Sequence, residues 1–300
     1  MSEAMKYDFA VAYRVFYKMG RPPNFPEFQG DKFLLTRVAF RSFKRAISPF
    51  NVKLWVLLGD CPPEYEAFFR EEWPGVEIVY DINKSHTDTF QEQYTILTQQ
   101  DNSELCCLSE DDYFYLPEAF IEIFNLFKSH PEIDFASPYD HAENYQPFKK
   151  MAWQTNATNR LPFWRIVPDT TSTFIGRRKA LIACRIPMRS FGKPHVKLCP
   201  FYVHDRGKWM AITKFRVFNP IYFLQCLFWS SPFTAWCWLT AWVFCWRHIL
   251  FSRKRNLWQP MPGLATHLVD SARLLPPGFD WHDIIAAAVR NEHTQNRQNL

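Results

Sequence analysis

The sequence lacks several signatures that would assign it to common protein classes. Its eight cysteines include no C-x-x-C pair, which argues against a zinc site or a disulfide scaffold. It has no glycine-rich phosphate loop of either common type, so neither Rossmann dinucleotide chemistry nor P-loop chemistry has support. It shows no internal repeat. Residues 1–6 lack the apolar core of a signal peptide, and we therefore expect the folded part of the chain to lie in the cytosol.

Charge is nearly balanced overall but is absent from one long stretch. The formal net charge of +5 indicates an anionic partner without identifying it, and we expect no nucleic-acid partner. Residues 217–246 contain no charged side chain, and five of the twelve tryptophans lie there. Basic residues follow at once, at Arg247, Arg253, Lys254 and Arg255.

The first half of the chain alternates strand-like and helix-like segments. Strands are predicted at residues 9–13, 53–58, 76–80 and 104–108, and helices at 31–47, 64–72 and 87–99. The second half is less regular, with an edge strand predicted at 134–137, β-prone runs at 163–167 and 171–174, a helix at 177–184 and a frayed end from 292. The pattern predicts an α/β fold whose mostly parallel sheet is flanked by helices.

An acidic cluster, Ser109-Glu110-Asp111-Asp112-Tyr113, directly follows the apolar run Leu105-Cys106-Cys107-Leu108. Adjacent carboxylates repel one another, so packing alone does not explain them at the end of a buried strand. Mg²⁺ and Mn²⁺ take oxygen ligands, usually one or two carboxylates plus the phosphates of a substrate. In an extended segment Glu110 and Asp112 share one face, and Asp111 points away. The cluster indicates a divalent-metal site, with a solvated acidic turn as the alternative.

Other polar residues occupy the ends of the neighbouring predicted strands. Tyr13 and Arg14 end the first strand, and Asp60 follows the second. In open parallel sheets, ligands bind beyond the carboxyl ends of the strands. We therefore expect these residues and the acidic cluster to form one pocket.

Taken in order along the chain, these motifs resemble those of a nucleotide-sugar-dependent glycosyltransferase of the GT-A type, similar to family 2. The matching segments are Tyr13-Arg14, Leu58-Gly59-Asp60-Cys61-Pro62-Pro63, Ser109-Glu110-Asp111-Asp112-Tyr113 as the DxD element, Ser137-Pro138-Tyr139-Asp140-His141, residues 164–174 with their Thr/Ser run, and Pro262-Gly263-Leu264-Ala265-Thr266-His267. They cover residues 7–215 and 256–282. The resemblance implies a Rossmann-like GT-A fold.

The resemblance also implies roles for the donor-binding residues. Tyr13, Arg14 and Asp60 would contact the base and ribose, and Asp111 is a further donor-binding candidate. Asp112, helped by Glu110, would hold the metal that bridges the diphosphate. A second set completes this half of the site: His267 as a metal ligand, and Trp164 and Arg165 on the acceptor or the phosphates. For His267 the alternative is a histidine satisfied within its own loop, and for Trp164 it is a place in the core. An imidazole ligand favours Mn²⁺ over Mg²⁺.

An acceptor hydroxyl needs a base, which a nearby carboxylate supplies. Inverting relatives use an acid in the second half of the domain. Asp205 in His204-Asp205-Arg206 is the first choice, although the family more often shows Glu-Asp there, and Asp140 is the second. The alternative for Asp205 is an ordinary acid in a surface loop.

The uncharged stretch is long enough for one membrane crossing, which takes about 20 apolar residues. One crossing would separate His267 from Asp112, and two would need about 40 residues. We therefore expect residues 217–251 to form a shallow helical hairpin in one leaflet, with tryptophans at the headgroups and basic residues on the cytoplasmic surface. A hydrophobic subunit interface or a buried helix pair is the alternative.

Together these observations predict three regions: a catalytic core at 1–215 with a nucleotide-binding half (1–115) and an acceptor half (116–215), a membrane-associating helical insertion at 216–255, and a C-terminal part at 256–300. We expect a Mn²⁺- or Mg²⁺-dependent inverting glycosyltransferase on the cytoplasmic side of a membrane, peripheral or monotopic. It would move a sugar from a nucleotide-diphosphate sugar to a glycan or lipid-linked acceptor. The alternatives are another metal-dependent nucleotide transferase and a non-catalytic scaffold.

Overall fold

The computed structural model describes residues 6–140, 163–192, 202–269, 275 and 278–298, and ten strands occur in them. They are β1 (Phe9–Phe16), β2 (Val52–Gly59), β3 (Glu77–Tyr80), β4 (Leu105–Glu110), β5 (Tyr113–Tyr115), β6 (Phe135–Ala136), β7 (Phe163–Val167), β8 (Phe174–Arg177), β9 (Leu257–Met261) and β10 (Ala265–His267). Eight form one sheet in the order β3-β2-β1-β4-β8-β6-β9-β7, and β10 pairs antiparallel with β5.

The described helices flank this sheet. They are α1 (Lys32–Ile47), α2 (Pro63–Glu72), α3 (His86–Gln99), α4 (Ala119–Ser129), α5 (Arg178–Ala183), α6 (Arg185–Ser190), α7 (Asp205–Thr213), α8 (Pro220–Gln225), α9 (Pro232–Phe251) and α10 (Trp281–Gln298). The strands β3, β2, β1 and β4 run parallel, as do β6 and β9, whereas β8 and β7 are antiparallel to their neighbours. The predicted α/β class with a mostly parallel sheet flanked by helices is confirmed.

Alternation along β1 sorts its side chains into two separate cores. Phe9, Val11 and Tyr13 pack on one face, beneath α1 and α4. Ala10 and Ala12 pack on the other, with the apolar side of α3. Because side chains of a strand alternate between faces and both faces are covered, the whole strand is apolar apart from Arg14.

Three details differ from the sequence-based expectations. The strand at 135–136 is not at an edge, because it lies between β8 and β9. The strand expected at 171–174 begins only at Phe174, because Thr171 Oγ1 accepts hydrogen bonds from Tyr113 Oη and from the Thr173 main-chain nitrogen, which therefore joins no strand ladder. The chain end is helical rather than frayed from 292, because Glu292 is buried and pairs with Arg37 and Arg41 of α1.

The aromatic-rich stretch folds as a pair of helical segments. The first comprises α8 and a π-helical turn at Cys226–Ser230, and the second is α9, whose N-terminus is capped by Ser231. Small side chains of α9, including Cys237 and Ala241, are buried on the side that packs against α6 and α7. Within the described part of the chain, no helix combines the length and apolarity needed to cross a membrane.

Candidate functional site

A cleft of about 970 Å³ opens beyond the carboxyl ends of β1, β2 and β4. The loop at 169–172 and the first turn of α7 form its opposite wall. The residues predicted to be functional that line it are Arg14, Asp60, Glu110, Asp111, Asp112, Asp205 and His267. The structure therefore brings Arg14, Asp60 and the acidic cluster into one pocket, as the strand ends predict, and it adds His267 and Asp205, which do not follow predicted strands of that set.

Glu110, at the end of β4, is committed to an ion pair. Its carboxylate pairs with Arg14, whose side chain is 1% exposed, and lies 3.3 Å from His86 Nε2. Arg14 also donates to the main-chain oxygen of His86. Burial opposes ionisation of Glu110, but the positive charge of Arg14 outweighs it and holds the pKa of Glu110 well below its usual range. The Arg14–Glu110 pair therefore links the ends of β1 and β4 at the floor of the cleft.

Asp111 turns into the protein. Its Oδ2 lies 2.7 Å from Lys32 Nζ and accepts hydrogen bonds from Thr36 Oγ1 and the Phe16 main-chain nitrogen. Burial raises the pKa of Asp111 above its ordinary value, although Lys32 acts in the opposite direction. The carboxylate ties the start of α1 to the ends of β1 and β4, and in this arrangement its role is to hold the cleft floor in place.

Asp112 meets His267 through the small second sheet. The β5–β10 pairing sets His267 opposite Tyr113, and the Leu268 main-chain nitrogen donates to the Asp112 carbonyl at 2.7 Å. His267 Nε2 then lies 3.1 Å from Asp112 Oδ2, with the Tyr113 ring 4.7 Å from the imidazole. Two residues 155 positions apart in the sequence thus form one donor pair.

By itself this pair is an incomplete metal site, because among the described residues no group of three or more His, Cys, Asp or Glu side chains is placed to hold a metal ion. Asp112 Oδ1 is buried and receives no hydrogen bond from any residue that the structure describes. An orphaned carboxylate oxygen beside an imidazole nitrogen matches the donor set of Mn²⁺, which completes its coordination with substrate phosphates and water. The expectation that Glu110 shares the ion with Asp112 does not fit this geometry. It assumed an extended backbone, but β4 ends at Glu110 and the chain turns at Asp111, so the alternation stops there.

Asp205 begins α7 on the other side of the cleft. Its Oδ1 accepts from Lys208 Nζ at 2.7 Å and from Ser172 Oγ at 3.4 Å. Among the described residues, none donates a hydrogen bond to Oδ2. Lys208 is fully buried, with its ammonium 4.5 Å from the Phe90 ring centre and 4.4 Å from that of Phe191. Burial lowers the pKa of Lys208 despite the negative charge of Asp205.

Four predicted site residues lie outside the cleft. The Tyr13 side chain is buried against Phe40 and Phe43, because alternation along β1 sends Arg14 to the cleft and Tyr13 to the core. Trp164 is also in the core. Asp140 and Arg165, both almost wholly buried, form an ion pair with each other. For these four side chains, the structure corrects the predicted contacts with donor or acceptor and the second-choice role of Asp140 as base.

Asp60 keeps a place in the cleft through an unusual backbone. Its φ of 51° puts it in the left-handed region at the end of β2. Its Oδ1 accepts from the Asn83 main-chain nitrogen at 2.9 Å, which links the loops after β2 and β3. Asp60 is exposed and lines the cleft, where a carboxylate is able to accept hydrogen bonds from a ligand.

Several cleft residues had no signal in the sequence. His86 and Lys32 belong to helices and look like ordinary helix surface positions, and only the sheet topology brings them to the cleft. Lys208 is fully buried and supports Asp205 without lining the cleft. Tyr202 and Phe233 add aromatic rings to the cleft lining, where the Phe233 ring lies 4.9 Å from that of His204. His141, the last residue of the segment Ser137-Pro138-Tyr139-Asp140-His141, lies outside the described residues.

No family model and no curated protein matches the sequence. Its fold is similar to those of several solved transferases. The glycosyltransferase GlyE of Streptococcus pneumoniae aligns with 94% of this chain and 60% of its own, at 12% identity and a TM-score of 0.43. S. aureus TarS residues 1–349, solved in complex with UDP, align with 68% of this chain at 13% identity and a TM-score of 0.40.

A cytidylyltransferase from Leptospira borgpetersenii aligns with 61% of this chain and 64% of its own, at 15% identity and a TM-score of 0.35. The chain spans between 54% and 64% of the length of these three structures.

Proposed function

We propose that the protein is a metal-dependent glycosyltransferase that moves a sugar from a nucleotide-diphosphate sugar to an acceptor hydroxyl, with inversion. The observation that carries this proposal is the placement of the Asp112–His267 pair and the open Asp205 carboxylate in one cleft. The two functions that glycosyl transfer needs, neutralising a leaving diphosphate and taking a proton from the acceptor, then have separate residues on opposite walls.

The charge of the cleft lining is balanced. Six Lys or Arg side chains and six carboxylates line it, so a bound divalent cation would supply the net positive charge that attracts a diphosphate. Asp112 and His267 would hold Mn²⁺ or Mg²⁺, which, when bound, offsets the charge that develops on the leaving diphosphate. Asp60 would accept hydrogen bonds from the base or ribose at the exposed end of the cleft.

The acceptor side depends on Asp205. Its Oδ2 takes the proton of the acceptor hydroxyl as that oxygen bonds to the anomeric carbon and the bond from carbon to phosphate oxygen breaks. Lys208 and Ser172 hold Oδ1, so the carboxylate keeps one orientation toward the cleft. Attack from the face opposite the leaving group inverts the anomeric centre. The acceptor is a glycan or a lipid-linked glycan.

The experiment is nucleotide release from a panel of UDP-, GDP-, CMP- and dTDP-sugars, with Mn²⁺ or with EDTA. We expect release from one donor, lost with EDTA and with Asp112→Asn, and kept by the matched control Asp101→Asn on the exposed surface. Retention of full activity by Asp112→Asn or in EDTA would refute the assigned metal site.

Adding nucleoside triphosphates with a sugar phosphate to this panel separates the alternatives. Pyrophosphate release from a nucleoside triphosphate with a sugar phosphate, and no use of any nucleotide sugar, would mean a nucleotidyltransferase. No turnover and no nucleotide binding, measured by calorimetry at the same concentrations, would mean a non-catalytic scaffold.

A further inference from the structure

The two helical segments of 217–251 carry an unusual share of the exposed apolar surface. Of the 19 large hydrophobic side chains exposed in the described residues, 12 lie between 218 and 251. We call these 12 the hairpin surface; they are Phe218, Ile221, Leu224, Leu227, Phe228, Trp229, Phe233, Leu239, Val243, Trp246, Leu250 and Phe251. Large contiguous patches of this kind mark contact with a partner or a membrane.

The hairpin surface follows helical geometry. On α9 the exposed Leu239, Val243, Trp246 and Leu250 recur at spacings of three and four residues, so they form one stripe. Trp229 at the tip is 81% exposed, and Phe251 at the far end of α9 is 79% exposed. The opposite side of α9 is already buried against α6 and α7, so the stripe faces away from the protein core.

Charge indicates which partner fits. From 206 to 269 the sequence contains eight of the 35 basic residues and none of the 30 acidic ones. Four of the eight pair with carboxylates: Arg206 with Asp169, Lys208 with Asp205, and Arg253 and Arg255 with Asp134. Arg247 and Lys254 are exposed beside the end of the stripe and form no ion pair with any described residue. An apolar surface with tryptophans, bordered by these two cations, complements the interface of an anionic bilayer. A second copy of the chain would bring the same two cations to the contact.

The hairpin surface is continuous with the part of the cleft lining that Tyr202 and Phe233 form. Phe233, at the start of α9, belongs to both. The Tyr202 and Trp236 rings are 4.9 Å apart, and the Phe233 ring stacks on Trp236 at 6.0 Å. A row of aromatic rings therefore leads from the exposed surface into the cleft.

We propose that the hairpin surface docks this protein on anionic lipid bilayers, lying in one leaflet rather than crossing it. Docking places the acceptor side of the cleft at the membrane surface, where a lipid-linked acceptor reaches Asp205; this consequence rests on the proposed glycosyl transfer. The docking itself does not require turnover.

The test is flotation of the full chain with vesicles of phosphatidylcholine alone or of phosphatidylcholine with phosphatidylglycerol, without donor. We expect flotation with the mixed vesicles that weakens as salt rises. The double variant Phe228→Ser, Trp229→Ser should bind about tenfold more weakly or worse, because it loses two apolar side chains that are exposed in the protein and become buried in the bilayer. The control Ile82→Ser, exposed outside the hairpin, should bind as the parent does.

The variants also carry a check that is independent of lipid. Light scattering after size exclusion measures the oligomeric state of the parent and of the Phe228→Ser, Trp229→Ser variant. We expect the two proteins to have the same oligomeric state. Absence of flotation with either vesicle, or an oligomer that this variant abolishes, would overturn the proposal in favour of a subunit interface. Nucleotide release in detergent-free solution reports on the transferase separately, so failure of docking and failure of the proposed function are distinguishable.

Discussion

Replacing Asp205 with asparagine should lower both activity and stability, for two separate reasons. Asparagine keeps an oxygen for the bonds from Lys208 and Ser172 but cannot take a proton. A general base contributes about 10²- to 10⁴-fold to a rate, so we expect kcat to fall by that factor with little change in the KM for the donor. The KM for the donor should hold because the residues proposed to bind it, Asp60, Asp112 and His267, are unaltered.

The stability loss comes from Lys208, which keeps its buried charge but loses its counter-ion. At the 2.7 Å separation and an effective dielectric constant of about 20, Coulomb's law gives about 6 kcal/mol for the pair. Asp205 is 23% exposed and the amide oxygen still accepts a hydrogen bond, which reduces the loss to about 3 kcal/mol. Urea unfolding of the parent and the variant measures this difference.

A second variant separates the two effects. In Asp205→Asn, Lys208→Met the unpaired charge is gone, and methionine adapts to the aromatic pocket formed by Phe90 and Phe191. We expect stability to return to within about 1 kcal/mol of the parent, while nucleotide transfer stays low. If the double variant recovers turnover together with stability, Asp205 acts only as the partner of Lys208 and the assignment as base is refuted.

Two further predictions concern how the hairpin segment is held. Burial lowers the pKa of His248 in α9 to about 4, below the ordinary 6.5, so between these pH values the unfolded chain binds a proton that the folded chain excludes. The free energy of unfolding should therefore fall by about 3 kcal/mol as the pH drops from 6.5 to 4. In urea unfolding His248→Leu should flatten this pH dependence, whereas the control His293→Gln, at an exposed position, should not. Asp134 accepts from Arg253 at 2.6 and 2.8 Å and from Arg255 at 2.9 Å, so Asp134→Asn should lower the free energy of unfolding by about 2 kcal/mol, and an unchanged urea midpoint would contradict this role.

The elements of the first half could be predicted from the sequence because each has a strong local period. The predicted helix at 31–47 differs from α1 by one residue, and β2 extends one residue beyond its predicted span at each end. The second half was less predictable because most of its elements, apart from α9 and α10, are short and draw their stability from distant partners. The strand at 135–136, for example, is two residues long and exists because β8 and β9 lie on either side of it.

The candidate site divides in the same way. The sequence by itself determined that carboxylates and cations follow the apolar runs, which must be buried. It did not determine that Arg14 and Asp111 are themselves almost wholly buried, paired with Glu110 and Lys32. Which of those side chains faces the cleft was decided by tertiary structure. Alternation places Tyr13 and Arg14 on opposite faces but does not say which face is the cleft.

The metal pair and the base show why the sequence was insufficient. Asp112 meets His267 only because β10 pairs with β5, and Asp205 is held only because Lys208 is buried among rings from three other parts of the chain. Such contacts depend on strand pairing and helix packing between residues that are distant in sequence. Local pattern therefore determined the residue types and the strand and helix framework, whereas long-range packing decided which side chains converge and how each is charged.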